Sequence, residues 1–185
     1  MQDLIIRDVR VAGPRPAGNE VLEVDQDTPL DWPINWLATK SGEYGGQVRA
    51  RIIAHGGGFY SGAIVGSYGR EYPWYSQGGA GIQFCKQGIY LWTISKFAAL
   101  RGKLVQIDIM GCGAAYITPG REGKDGDGNV LCSRLAQTTQ AFVRASTATQ
   151  EYDNTGPIDM GRWEGTVLTY GPSGGVVKVE QAPSS

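Results

Sequence analysis

Apolar and polar positions alternate along this chain with two different periods, and the switches between them mark out the elements. The start, MQDLIIRDVRVAG, is strand-like and runs into a Gly/Pro-rich arm, GPRPAGN, that completes residues 1–19. "NEVLEVD" at 19–25 predicts a short strand, and "QVRARIIAH" at 47–55 a more buried one. Between them "DTPLDWPINWLATKSG" predicts a helix that starts near Asp31, carries Pro33 in its first turn and stops at Gly42. The aromatic-rich stretch "GFYSGAIVGSYGREYPWYSQGGAG" reads as hairpins and loops. The strongest helical pattern is 82–102, where Ile89, Trp92, Ile94, Phe97 and Leu100 approximate one apolar face and Gly102 ends it. "KLVQIDIMGCG" predicts a third buried strand, ending at Cys112.

A glycine-rich loop, expected to be flexible, follows at 113–129; then come a short helix, "VLCSRLAQTTQ", and a fourth strand, "AFVRAST". Two further strands, "WEGTVLTYG" and "GVVKVEQ", are joined by a Pro-Ser-Gly-Gly turn. Strands alternating with helices predict a single α/β domain over 1–185 with a largely parallel sheet, and function gathers beyond the carboxyl ends of such strands.

Composition narrows the partners. Seventeen basic against eighteen acidic residues leave a net charge of -1, which gives no footing for nucleic acid. No apolar run reaches transmembrane length, and the N-terminal stretch lacks the pattern of a signal peptide, so no membrane partner is expected. Cys85, Cys112 and Cys132 are an odd set without metal-like spacing. Reduced thiols in a cytoplasmic, reducing compartment are the expectation, whether the chain is a delivered effector or a piece of a larger protein.

The candidate chemistry sits at two strand ends. His55, the only histidine, ends one apolar strand and Cys112 ends another, and each precedes a glycine. A thiolate is the nucleophile, and an imidazole beside it takes up its proton. The N–H groups of Gly56 and Cys112 would form an oxyanion hole, with Gly111 and Gly113 letting the backbone turn tightly. Asp108, four residues before Cys112 and on the same side of its strand by alternation, is a candidate to orient His55. Cys85 and Cys132 fall on helical patterns beside apolar neighbours and are expected to be inert. No cofactor and no metal is required.

These blocks, "RARIIAHGG" and "LVQIDIMGCG", resemble the catalytic pattern of the caspase-like cysteine peptidases, which include caspases, legumains, gingipains and the self-cleaving protease domains of large bacterial toxins. In caspases the histidine lies about 50 residues upstream of the cysteine; here the two are 57 apart. The resemblance implies a three-layer sandwich with helices flanking a mostly parallel central sheet. It also implies a Cys-His dyad that cleaves a protein or peptide substrate or the chain itself. The segment "LCSRLAQTTQAFVRASTATQEYD" is similar to the helix-strand unit after the cysteine in the toxin proteases, so that Ala145, Ser146 and Thr147 would border the first specificity pocket. The chain departs from the caspase signature in having Gly111 before the cysteine and no Gln-Ala-Cys. Cleavage preference and oligomeric state stay open, and a catalytically silent binding module of the same fold stays an alternative.

Two rival motifs weigh less. "HGGGF" at 55–59 resembles the oxyanion loop of lipase-like α/β-hydrolases, and "GPSGG" at 171–175 matches G-x-S-x-G. That reading needs a histidine after the serine, and none follows. "KDGDGN" at 124–129 puts Gly123 and Arg134 where an EF-hand needs carboxylates, so a solvated turn is expected. The cluster "YGREYPWY" at 68–75 would either line a substrate groove or seal the core.

Overall fold

The computed structural model describes the backbone of residues 1–65, 71–153, 155–161 and 163–181; within 59–65 and 71–77 it describes backbone alone. Seven strands form one sheet: β1 (Gln2–Asp8), β2 (Val21–Val24), β3 (Val48–Ile53), β6 (Gln106–Met110), β7 (Phe142–Ser146), β8 (Thr166–Tyr170) and β9 (Val176–Gln181). A separate hairpin pairs β4 (His55–Val65) with β5 (Glu71–Gln83). The sheet order is β2-β1-β3-β6-β7-β8-β9; the first five strands run parallel, and β8 is antiparallel to both of its neighbours, β7 and β9. This is an α/β domain with a mostly parallel mixed sheet.

One face of the sheet is covered by helices. α1 (Asp31–Glu43), a 3-10 helix (Ile94–Leu100) and α2 (Gly128–Thr139) bury Leu37, Phe97 and Leu135 against Leu4, Ile52, Ile107 and Val143. The strands alternate in part because this face takes every second residue into a continuous core, while Arg49, Arg51, Asp108 and Arg144 fall on the other face. α2 is stopped at both ends by local chemistry. The Asp127 carboxylate accepts the Asn129 N–H at its start, and Gln140 in the left-handed conformation closes it.

Among the described residues, no helix covers the opposite face. A smaller cluster of Ile5, Val11, Ile53, Met110, Ile158 and Met160 fills that face, with Val21, Tyr152 and Trp163 packed against it. Arg7 folds the arm back: its guanidinium donates to the carbonyls of Val11 and Gly13 and pairs with Glu23 at 2.6 Å. Away from that cluster the face is ionic, with Arg49 in a bidentate pair with Asp3 and Arg144 paired with Glu180 beneath Trp163.

The pattern at 82–102 is not a helix. Residues 82–83 belong to β5, turns follow, and only 94–100 is helical, as a 3-10 turn. Backbone geometry overrides the apolar spacing here. Cys85 and Gly88 take positive φ, Ile82 and Ile89 exchange two hydrogen bonds, and the Thr93 hydroxyl engages Gly88 and Tyr90. Cys85 therefore sits in a turn rather than on the expected helix, and it is buried. Within the glycine-rich stretch 58–81, the described residues 58–65 and 71–81 pair as antiparallel strands. Of the aromatic cluster at 68–75, residues 68–70 and the side chains of 71–75 lie outside the described residues. The loop 113–129 is partly packed, with Ala114, Ala115, Thr118 and Asp127 buried and 122–125 exposed. Residues 171–175 form a hairpin turn between β8 and β9, closed by Gly171 and Gly175. Among the described residues, no helix is long and apolar enough to cross a membrane.

Candidate active site

Four neighbouring parallel strands deliver groups to one place beyond their carboxyl ends. β3 and β6 are directly hydrogen-bonded, and their last residues, Ile53 and Met110, are register partners. Two residues further along each chain stand His55 and Cys112. Both are half-buried, and both line a cavity of about 10 Å³ with Val11, Gln150, Tyr152 and Met160. That volume is near the lower limit for one water molecule.

The contact between the two loops is backbone to backbone. A Cβ at Gly56 would lie 1.7 Å from the Cys112 carbonyl oxygen and 3.1 Å from its nitrogen. A Cβ at Gly111 would lie 2.7 Å from the Ala54 carbonyl. Glycine at 56 and 111 is thus required by close approach, which brings the Gly56 and Cys112 peptide groups against each other.

His55 is held from the turn that follows β1. Its Nε2 lies 2.9 Å from the Arg10 carbonyl oxygen. A carbonyl only accepts, so Nε2 carries the proton and, in the neutral ring, Nδ1 keeps its lone pair. Arg10 is itself clamped. The fully buried Asp8 carboxylate takes its guanidinium at 2.6 and 2.8 Å, its N–H at 3.1 Å and the Cys85 N–H at 2.9 Å. Bonding to Asp8 holds the Arg10 guanidinium above its ordinary pKa.

Asp108 does not have this role. It does lie on the same face as Met110, but its register partner is Arg51, four residues short of His55, roughly 13 Å of extended chain away. Its carboxylate takes the Gln106 amide and faces Arg49 at 3.8 Å, and burial pushes its pKa up. The expected pocket border is also redistributed. Ala145 is fully buried in the helix-side core, and the Ser146 hydroxyl is buried, bonded to the Glu164 carbonyl. Thr147 is half-buried and donates its N–H to Thr166. The β7 end reaches the cavity instead through Gln150 and Tyr152.

Gln150 secures that segment. Its amide NH₂ is shared among the carbonyls of Ala148, Thr149 and Glu164, and its oxygen accepts the Glu164 N–H. The Cys112 thiol points at the Gln150 carbonyl, 3.8 Å away. The other two thiols are different: burial pushes both Cys85 and Cys132 up to about 12. All three cysteines are free, and among the described residues no cluster of His, Cys, Asp or Glu is arranged to hold a metal. Asp127 uses its carboxylate on the Gly123 and Asn129 N–H groups, so KDGDGN is a capped turn.

Arg10, Asp8 and Gln150 were not marked by any motif. Arg10 acts through its carbonyl, which every residue has. The one trace in sequence is an Asp at a strand end two residues before an Arg. No protein-family model, curated protein or solved structure matches the chain.

Proposed function

We propose that this chain is a caspase-like cysteine endopeptidase in which Cys112 is the nucleophile and His55 the general acid/base. The observation that carries the reading is the pairing of the two residues past register partners on adjacent parallel strands, with His55 Nε2 already committed to the Arg10 carbonyl. The free Nδ1 takes the thiol proton, and the sulfur attacks the scissile carbonyl carbon. The oxygen that becomes negative is held by the N–H groups of Gly56 and Cys112, an arrangement typically worth about 3–4 kcal/mol per donor. His55 then gives its proton to the departing amine. Water, deprotonated by the same ring, hydrolyses the thioester and restores the thiol. The Arg10 carbonyl does what a third catalytic side chain does elsewhere: it fixes the tautomer and steadies the imidazolium.

A silent binding module is the second reading, and the narrow cavity favours it. The room of about 10 Å³ beside the thiol, bordered by Gln150 and Tyr152, is too small to hold a peptide side chain. The α/β-hydrolase reading has no support, since Ser173 lies in a hairpin turn that leads straight into the antiparallel strand β9 rather than into a helix.

Turnover of a mixed fluorogenic peptide library separates the two. The peptidase reading expects cleavage that disappears in both Cys112→Ala and His55→Ala. Absence of turnover by the unaltered chain, also in mild denaturant that loosens the 150–152 segment, supports the silent module.

A further inference from the structure

Gly56, which packs on Cys112, also borders a roomier cleft of about 620 Å³. Its floor is the bare backbone of Gly56, Gly57 and Gly58, and its walls are Ala80, Gln83, Tyr90, Trp92 and Asp125. The aromatic wall is built with care for its geometry. A Cβ at Gly81 would lie 2.2 Å from the Tyr90 ring and one at Gly88 2.0 Å, so two positive-φ glycines make the slot that seats this ring. Trp92 stacks on Tyr90, with centroids 4.6 Å apart and planes 10° from parallel, and remains 67% exposed. An indole with one face fixed on a neighbour and the rest open to solvent is a preformed stacking surface, and neither core packing nor the dyad uses it.

We propose that this cleft is a subsite for a basic side chain of the substrate, arginine above all. The proposal rests on the peptidase reading. Three features select the chemistry. Among the described lining residues, the one formal charge is the Asp125 carboxylate. The Tyr90–Trp92 stack offers the negative face of a π system, over which a planar guanidinium lies flat. The glycine floor starts at Gly56, the same residue whose N–H would hold the oxyanion, so a side chain in the cleft belongs to a residue near the scissile bond. Lys124 and Arg121 belong to the same turn as Asp125 but do not line the cleft.

The test has a cleavage arm and a binding arm. In the first, matched fluorogenic peptides carry arginine, citrulline or glutamate at each position around the scissile bond. Arginine is expected to raise kcat/KM over its neutral isostere citrulline by about tenfold at one position, the size of a cation–π contact plus a screened ion pair. The ratio should fall towards one in Trp92→Ala and in Asp125→Asn, stay intermediate in Trp92→Phe, and invert towards glutamate in Asp125→Lys. In the second arm, calorimetry measures the same uncleaved peptides binding to Cys112→Ala. A gap between arginine and citrulline that closes in Asp125→Asn upholds the subsite even if no peptide is ever cut, in which case the peptidase reading alone falls. Cleavage or binding with no preference for arginine, or a preference that survives both Trp92→Ala and Asp125→Asn, overturns the subsite and leaves the dyad standing.

Discussion

The two faces of the central sheet are made from the same strands and built on different principles. On one, α1, the 3-10 helix and α2 close a single apolar core in which Cys132 is fully buried. On the other, an arm and an irregular segment cover a small cluster, ion pairs take the remaining area, and Cys112 is half-exposed at the strand end. Helices cover the sheet by repetition from β1 to β7, and the open cleft on this side, about 930 Å³, lies at its edge between α2 and β8–β9. Loops cover it only where a specific bond holds them, as Arg7 holds the arm and Gln150 the segment before Glu164. The difference teaches where chemistry fits in this molecule: at the margin where the cover is pinned by a few polar contacts and can be released.

The largest contrast between the faces should come from truncating one side chain on each. Cys112→Ala or His55→Ala should remove at least about a thousandfold of peptide turnover, and the double variant should be no worse, since groups acting as one unit are non-additive. Their unfolding free energy should barely change. Leu135→Ala, under the helices, should do the opposite and cost about 2–5 kcal/mol, read by denaturant unfolding. A Cys112→Ala variant as unstable as Leu135→Ala would make the thiol a core group and erase the contrast.

Asp8 ties the two regimes together, because it is fully buried yet serves the loop-covered side through Arg10. Asp8→Ala should cost about 3 kcal/mol, since it strands a guanidinium and the Cys85 N–H. In Asp8→Asn, turnover should fall more than stability does, because the Arg10 carbonyl loses its register with His55. Equal losses in both measurements would make Asp8 structural only.

Alkylation sharpens the same comparison at smaller scale. At pH 7.5 iodoacetamide should modify Cys112 at least about tenfold faster than Cys85 or Cys132, whose thiols burial holds near about 12. Gln150→Ala should raise the Cys112 rate severalfold by releasing the covering segment, and leave the other two unchanged.

The smallest effect belongs to Asp108. Burial raises its pKa from the ordinary 3.8, so the folded chain holds this proton more tightly than the unfolded one. Its contribution to stability is therefore present at low pH and is lost as pH rises through the folded value. Asp108→Asn should flatten that part of the stability–pH curve, measured by thermal unfolding between about pH 3 and 7.

Much of the frame was legible in the sequence because buried parallel strands announce themselves. "VRARII", "QIDIM" and "FVRAS" have few alternatives, and Gly113, at positive φ, turns the chain after Cys112, whereas the glycines after His55 lie inside β4 and His55 opens that strand rather than ending β3. The 82–102 stretch misled because helical spacing of apolar residues also arises when a turn-rich segment drops several side chains into one core. Gly88 and Thr93 were the signals against it. The site was legible where it depends on side-chain identity, at His55 and Cys112, and illegible where it depends on backbone. Any residue at position 10 would offer a carbonyl, and only the folding of the arm by Arg7 and Asp8 aims it. Ala145 and Ser146 were placed by analogy of order, whereas alternation along β7 turns Ala145 into the core and commits the Ser146 hydroxyl to Glu164.

The most direct test of the dyad is covalent capture. A peptidyl acyloxymethyl ketone, incubated with the unaltered chain at neutral pH and followed by intact mass and peptide mapping, should leave one adduct, on Cys112, and the His55→Ala chain should stay unlabelled. An adduct on Cys85 or Cys132, or labelling of Cys112 that proceeds equally well without His55, would contradict the account.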